Sequence, residues 1–219
     1  MNVRNLVTLL TLLFLPAVAF AFGTDEAENA RAVLISRLST LVTLLGYLVG
    51  FVVLLTGLYK LTQITKDGVK NPYISPAIYV ISGVLMMDIF HTLDVLTLTM
   101  FNFENFCQVI KDDAIAHNCM SDAMSGLTGD MKTRLEKLSS GNTVQAFLDQ
   151  ISVIVGIFQL IGLIYVLVGL YGLIQVANGS AQNGYAKPLV TIFAAALIVD
   201  IPHTAQMAIN TLESIGINF

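Results

Sequence analysis

The sequence predicts an all-α membrane protein: an N-terminal signal peptide followed by two tandem-duplicated transmembrane helical hairpins, four spans in all. Three observations carry that expectation. The 219 residues are 55% apolar and 12% charged, roughly half the charged content of a soluble domain, so the surplus apolar surface must face lipid. Four apolar blocks each reach the roughly 17 to 25 residues that cross a bilayer. Sliding the chain by 112 residues without a gap aligns 41–100 with 153–212 at 17 identities in 60 positions.

Taken in order, Asn2 and Arg4 form a short basic start, Leu6 to Phe20 an apolar core, and Ala19-Phe20-Ala21 a small-residue cleavage site, the three parts of a secretory signal. Residues 1–21 are therefore expected to be a signal; the rival reading keeps them as an uncleaved anchor, since the run approaches a spanning length. A polar lead-in follows over 22–37, with Asp25, Glu26, Glu28, Arg31 and Arg37. The first hairpin occupies 38–101, its blocks running from Leu38 to Leu61 and from Pro76 to Phe101. Lys66, Asp67, Gly68, Lys70, Asn71 and Pro72 supply the turn between them. A polar segment over 102–150 holds both cysteines, Cys107 and Cys119, and His117. Within it Leu127 to Leu138 has the pattern of an amphipathic helix, with Met131, Leu135 and Leu138 on one face. The second hairpin fills 151–219, with blocks from Ile151 to Val176 and from Pro188 to Leu212 and a turn containing Asn178, Gly179, Asn183 and Gly184.

The repeat is the strongest internal signal. Gly50, Gly57, Leu58, Tyr59 and Gln63 recur as Gly162, Gly169, Leu170, Tyr171 and Gln175. Asn71, Tyr73 and Pro76 recur as Asn183, Tyr185 and Pro188; Asp88, Ile89, His91 and Thr92 recur as Asp200, Ile201, His203 and Thr204. Two Leu-rich helices match at Leu by chance, but not at Asp, His, Asn, Tyr and Pro, so both copies are expected to enter the membrane from the same side. A cleaved signal puts 102–150 outside and both hairpin turns in the cytoplasm. Lys60, Lys66, Lys70 and Lys187 at the turns agree with that, against Arg31, Arg37, Lys111, Lys132, Arg134 and Lys137 spread over the longer outer stretches. In an oxidising compartment Cys107 and Cys119 would pair as a disulfide; the alternative is two free thiols.

Each hairpin's second block carries an Asp-x-x-His-Thr cluster: Asp88, His91 and Thr92, then Asp200, His203 and Thr204. On a continuous helix that spacing puts the three side chains on one face, and ionisable groups at membrane depth cost several kcal/mol unless paired or wetted. They either fix helix register or a contact between subunits, line a polar passage, relay protons, or ligate a metal. Pro202 replaces Phe90 of the first copy, so the fourth block is expected to kink there and to be the more irregular one. Gly46, Gly50, Gly57, Gly162, Gly169 and Gly172 place small residues where another helix can approach closely.

Several classes are excluded. The formal net charge is −4 with 11 scattered Lys and Arg, which gives no footprint for nucleic acid. No Walker loop, G-x-S-x-G elbow, HExxH or CxxC pair occurs, so no enzyme activity, cofactor or metal is expected. With its signal, short-turned hairpins, cysteine-bearing outer segment, and the Gly57-Leu58-Tyr59, Asn71-Pro72-Tyr73 and Asp88-x-x-His91-Thr92 motifs with their second copies, the chain resembles the small inner-membrane proteins of type IVB (Dot/Icm-like) secretion systems, nearest the IcmC/DotE family. That resemblance implies a subunit of an envelope-spanning machine exporting effector proteins or conjugative DNA, with other membrane subunits as partners and an oligomeric assembly in the bilayer. Signal and hairpin are also similar to conjugative pilins, but those carry one hairpin. The alternative is an independent small transporter or channel using Asp88, His91, Asp200 and His203 directly.

Overall fold

The computed structural model describes residues 25–63, 73–102, 106–116, 141–179 and 184–216. The signal, the first hairpin turn, Cys119, His117 and the segment 127–138 lie outside the described residues. The described chain forms six helices and one short β-hairpin: α1 (Asp25–Gln63), α2 (Ile74–Met87), α3 (Ile89–Phe101), β1 (Ile110–Lys111), β2 (Ala114–Ile115), α4 (Gly141–Ala177), α5 (Ala186–Val199) and α6 (Ile201–Ser214). Two helices, α1 over Ala30–Gln63 and α4 over Asp149–Ala177, are long and apolar enough to cross a membrane. The polar lead-in is therefore no separate element: from Asp25 onward it is the first part of α1.

The second and fourth apolar blocks are not single helices. The axis turns by 100° between α2 and α3 and by 92° between α5 and α6. Four crossings result only if each bent pair counts as one. A 14-residue helix such as α2 or α5 rises about 21 Å, short of the roughly 30 Å hydrocarbon layer. The expected irregularity at Pro202 is also corrected: the first hairpin, with Phe90 there, bends as sharply as the second. Pro202 lies in the first turn of α6, where its missing N–H costs no helical hydrogen bond, so proline accompanies the bend without causing it.

Within each hairpin the packing is the same, 112 residues apart. A Cβ on Gly50 would come within 2.8 Å of the Gly83 carbonyl oxygen and the Met87 nitrogen; one on Gly162 would come within 3.0 Å of the Ala195 carbonyl oxygen and the Val199 nitrogen. Gly57 lies against the backbone of Val80 and Gly169 against that of Ile192 in the same manner. Both long helices thus let their short partners approach to backbone contact, the arrangement small residues permit between helices.

One core joins the hairpins: Tyr79, Met86, Ile89 and Leu93 of α2 and α3 pack with Leu163, Val166, Leu170 and Ile174 of α4. A second, smaller core lies where α1 and α4 extend past the bends. There the β-hairpin inserts, with Ile110 opposite Ile115 and Lys111 opposite Ala114. Asp112 (φ 51°) and Asp113 (φ 64°) make its turn, the left-handed pair a two-residue hairpin turn requires. Cys107, Val109 and Ile110 pack there against Ala32, Ile35, Val153 and Val155.

Candidate functional site

The repeated Asp-x-x-His-Thr clusters sit at the two bends. Asp88 and Asp200 are not on the helical face their spacing suggests. Each is the residue at which one helix stops and the next starts, with φ/ψ of −123°/74° and −113°/56°. A ψ so far from the helical value near −42° turns the axis within a single residue. The repeated threonine then bridges the break. Thr92 Oγ1 shares its proton between the carbonyl of Leu85, seven residues back at 3.0 Å, and that of Asp88, four back at 2.8 Å, and Thr204 Oγ1 donates to that of Leu197 at 2.9 Å. A helix that stops at right angles to its continuation leaves its last carbonyls without intrahelical partners; the threonine hydroxyl satisfies one of them.

The Asp and His positions behave differently in the two halves. In the first, Asp88 and His91 are exposed, and Asp88 Oδ1 accepts a hydrogen bond from the His91 backbone N–H at 3.1 Å, a helix N-cap. In the second, Asp200 and His203 are buried, 1% and 0% exposed. Asp200 Oδ2 lies 2.8 Å from His203 Nδ1 and accepts from the hydroxyl of Thr97 at 3.1 Å. Thr97 belongs to α3, so this buried group ties the first half to the bend of the second. The Phe101 ring lies at 6.4 Å from the His203 ring, closing one side. Asp200 Oδ1 meets no hydrogen-bond donor among the described residues.

Sequence reasoning passed over three contributors. Thr97 breaks the repeat, its counterpart being Ile209, and a hydroxyl standing where the other copy is apolar is the one signal by which the sequence could have shown it. Gln159 accepts from the Val109 backbone N–H at 3.0 Å and donates to the Cys107 carbonyl, fastening the strand that enters the β-hairpin. Lys60 Nζ donates to Asn178 Oδ1 at 2.7 Å and stands 4.0 Å over the Tyr79 ring, while Asn178 Nδ2 donates to the Tyr79 hydroxyl. That trio links the far ends of the two long helices through the Lys60–Asn178 hydrogen bond and fastens both to α2, the lysine by a cation–π contact. Arg37 and Asp113 pair beside the β-turn.

The four Asp and His side chains of the bends do not converge: among the described residues no three His, Cys, Asp or Glu groups come together in a way that could hold a metal ion. The Asp88 carboxylate caps α3, the threonine hydroxyls bridge the two bends, and the Asp200 carboxylate holds His203 and the hydroxyl of Thr97 in α3.

No family model, no curated protein and no solved structure matches the chain.

Proposed function

We propose that the chain is a non-catalytic membrane subunit that works by assembly, in a type IVB (Dot/Icm-like) secretion or conjugation apparatus of a bacterial inner membrane. On this reading residues 1–21 are a signal, the hairpins are tandem copies, both turns are cytoplasmic and 102–150 is periplasmic. One observation carries the assembly role: the only deeply buried Asp–His pair among the described residues is enclosed by the chain's own α3. A group so enclosed, with a threonine hydroxyl on one side and an aromatic ring on another, suits a joint between helices better than a passage or a relay.

Support also comes from the unequal cover of the long helices. Half of the spanning window of α4 is buried within the chain, but only 17% of that of α1, so α1 presents most of its circumference to lipid or to other subunits. The family itself rests on the layout and motifs of the sequence. Co-purification from host membranes in mild detergent tests the proposal. Recovery within a large complex with other secretion subunits is the expected outcome. Recovery alone, with solute transport by the pure protein in liposomes, would overturn it in favour of an independent transporter or channel.

A further inference from the structure

The two halves share their internal structure, yet the contact between them is one-sided. α1 and α2 both pack on α4, and α3 packs on both α5 and α6. The reverse contact, α5 on α1, is marginal at most. A two-fold arrangement would make both equally. The first half therefore offers a face formed by α2 and α3, with one side of α1, to a different face of the second, formed by α4 and the Asp200 bend. Contacts between unlike faces are heterologous, and repeated use of one builds rings or open arrays.

Such a contact leaves one face of each kind unused. Positions of α4 that the first half covers have apolar counterparts on α1 that are left open among the described residues. Leu160, Leu163 and Leu170 are 2%, 3% and 1% exposed, while Leu48, Phe51 and Leu58, 112 residues earlier, are 52%, 44% and 48% exposed. The polar bend repeats the pattern, Asp200 and His203 being buried and Asp88 and His91 exposed. At the other end of the molecule, the counterparts of the buried Tyr79, Met86 and Leu93 are Thr191, Ile198 and Ala205, all of them only partly covered. Thr191 and Ala205 are smaller than the Tyr79 and Leu93 they replace, which leaves room for Phe51 where α4 has Leu163.

We propose that the occupant of the open α1 face is a second copy of this chain, its α5–α6 face seated on α1 and the Asp88 bend as α2–α3 is seated on α4 and the Asp200 bend. The association is head-to-tail and continues from chain to chain. It names a partner within the assembly reading above, and it rests on that reading only in requiring that the chain act as a subunit. By the same correspondence that brings Thr97 to Asp200, Ile209 of one chain reaches Asp88 of the next.

Paired cysteines test the register. In membrane vesicles treated with a short thiol cross-linker, the double variant Asp88→Cys/Ile209→Cys is expected to give a ladder of dimers, trimers and longer species above the wild-type background from Cys107 and Cys119. Either single variant should stay at that background, and the two singles expressed together should stop at dimers. Cross-linking of a single variant to itself would show a two-fold contact and overturn the proposal, as would monomers only from the double variant. Counting photobleaching steps of the labelled wild-type chain, reconstituted alone in phospholipid vesicles, needs no substitution: several steps per particle are expected, and a single step, meaning that lipid alone covers α1, overturns it. Because these vesicles hold no other protein, self-association can fail while co-purification with secretion subunits succeeds, or the reverse.

Discussion

The first and second hairpins build the same bend from the same residues and then use it differently. Both have a long helix with two glycines in backbone contact with a short partner, an aspartate where the short helix stops, and a threonine reaching seven residues back across the break. What differs is the neighbour. Asp200 and His203 lie under α3 and are shut off from the surroundings; Asp88 and His91 are exposed, with no helix over them among the described residues. The shared part is thus local and carried by the repeated motif, whereas burial is set by which face of each hairpin meets the other. The difference teaches that a repeated ionisable motif need not carry a repeated chemistry.

The largest expected effect separates the halves. Asp200→Ala leaves a buried imidazole without its carboxylate and should destabilise the fold by about 3 kcal/mol, as removal of one partner from a buried pair does. Asp88→Ala removes an exposed helix cap and should cost about 1 kcal/mol. Detergent titration in SDS, read by resistance to proteolysis, compares the two; equal losses would break the contrast. Next in size, Gly50→Ala and Gly162→Ala each drive a methyl group into the partner's backbone and should cost about 2 kcal/mol, the usual scale of overpacking. Their equality in the same titration is the sharper test, because it asks whether the hairpins pack alike whatever surrounds them.

Smaller still, Thr92→Val and Thr204→Val keep shape but leave the Leu85 or Leu197 carbonyl without its bridge, each costing about 1 kcal/mol. Amide hydrogen exchange around Asp88 and Asp200 should rise by similar factors in the two variants. The smallest effect is expected from Thr97→Val, roughly 0.6 kcal/mol, the average for a hydrogen bond between membrane helices. In a double-mutant cycle it should couple to Asp200 and not to Asp88.

Much of this architecture is legible in the sequence, for reasons that differ by element. Apolar length marks α1 and α4 because a helix crossing lipid must be apolar along its whole length. The 112-residue repeat marks the matched bounds of α2 with α5 and α3 with α6, since the same local residues make the same local turns. The right-angle bends are not legible from hydropathy: Ile74 to Phe101 is as apolar as a straight span, and of its carboxylates, Asp88 and Asp94, only Asp88 stands at the break. An i, i+3, i+4 trio reads as one helical face until it is recognised that an aspartate followed three residues later by a free N–H is equally a helix cap. Proline at 202 drew attention to the second copy, although Phe90 stands at the same place in an equally bent first copy. The unequal burial of Asp88 and Asp200 lies beyond any repeat-based reading, because identical motifs carry no record of which copy faces inward.

The bends also shape the molecule's footprint in a bilayer. Thr97 of α3 reaches the Asp200 bend, so the two bends lie at a common level. Beyond it α3 and α6, each about 20 Å long at 1.5 Å per residue, run across the direction of the short helices that precede them. At the turn end the cross-section is that of four helices side by side; at the bend end it widens by two rods laid nearly flat. With the short helices set along the membrane normal, such a shape would displace more area from the leaflet at the bend end than from the other, and the head-to-tail row proposed above would then favour a curved membrane over a flat one.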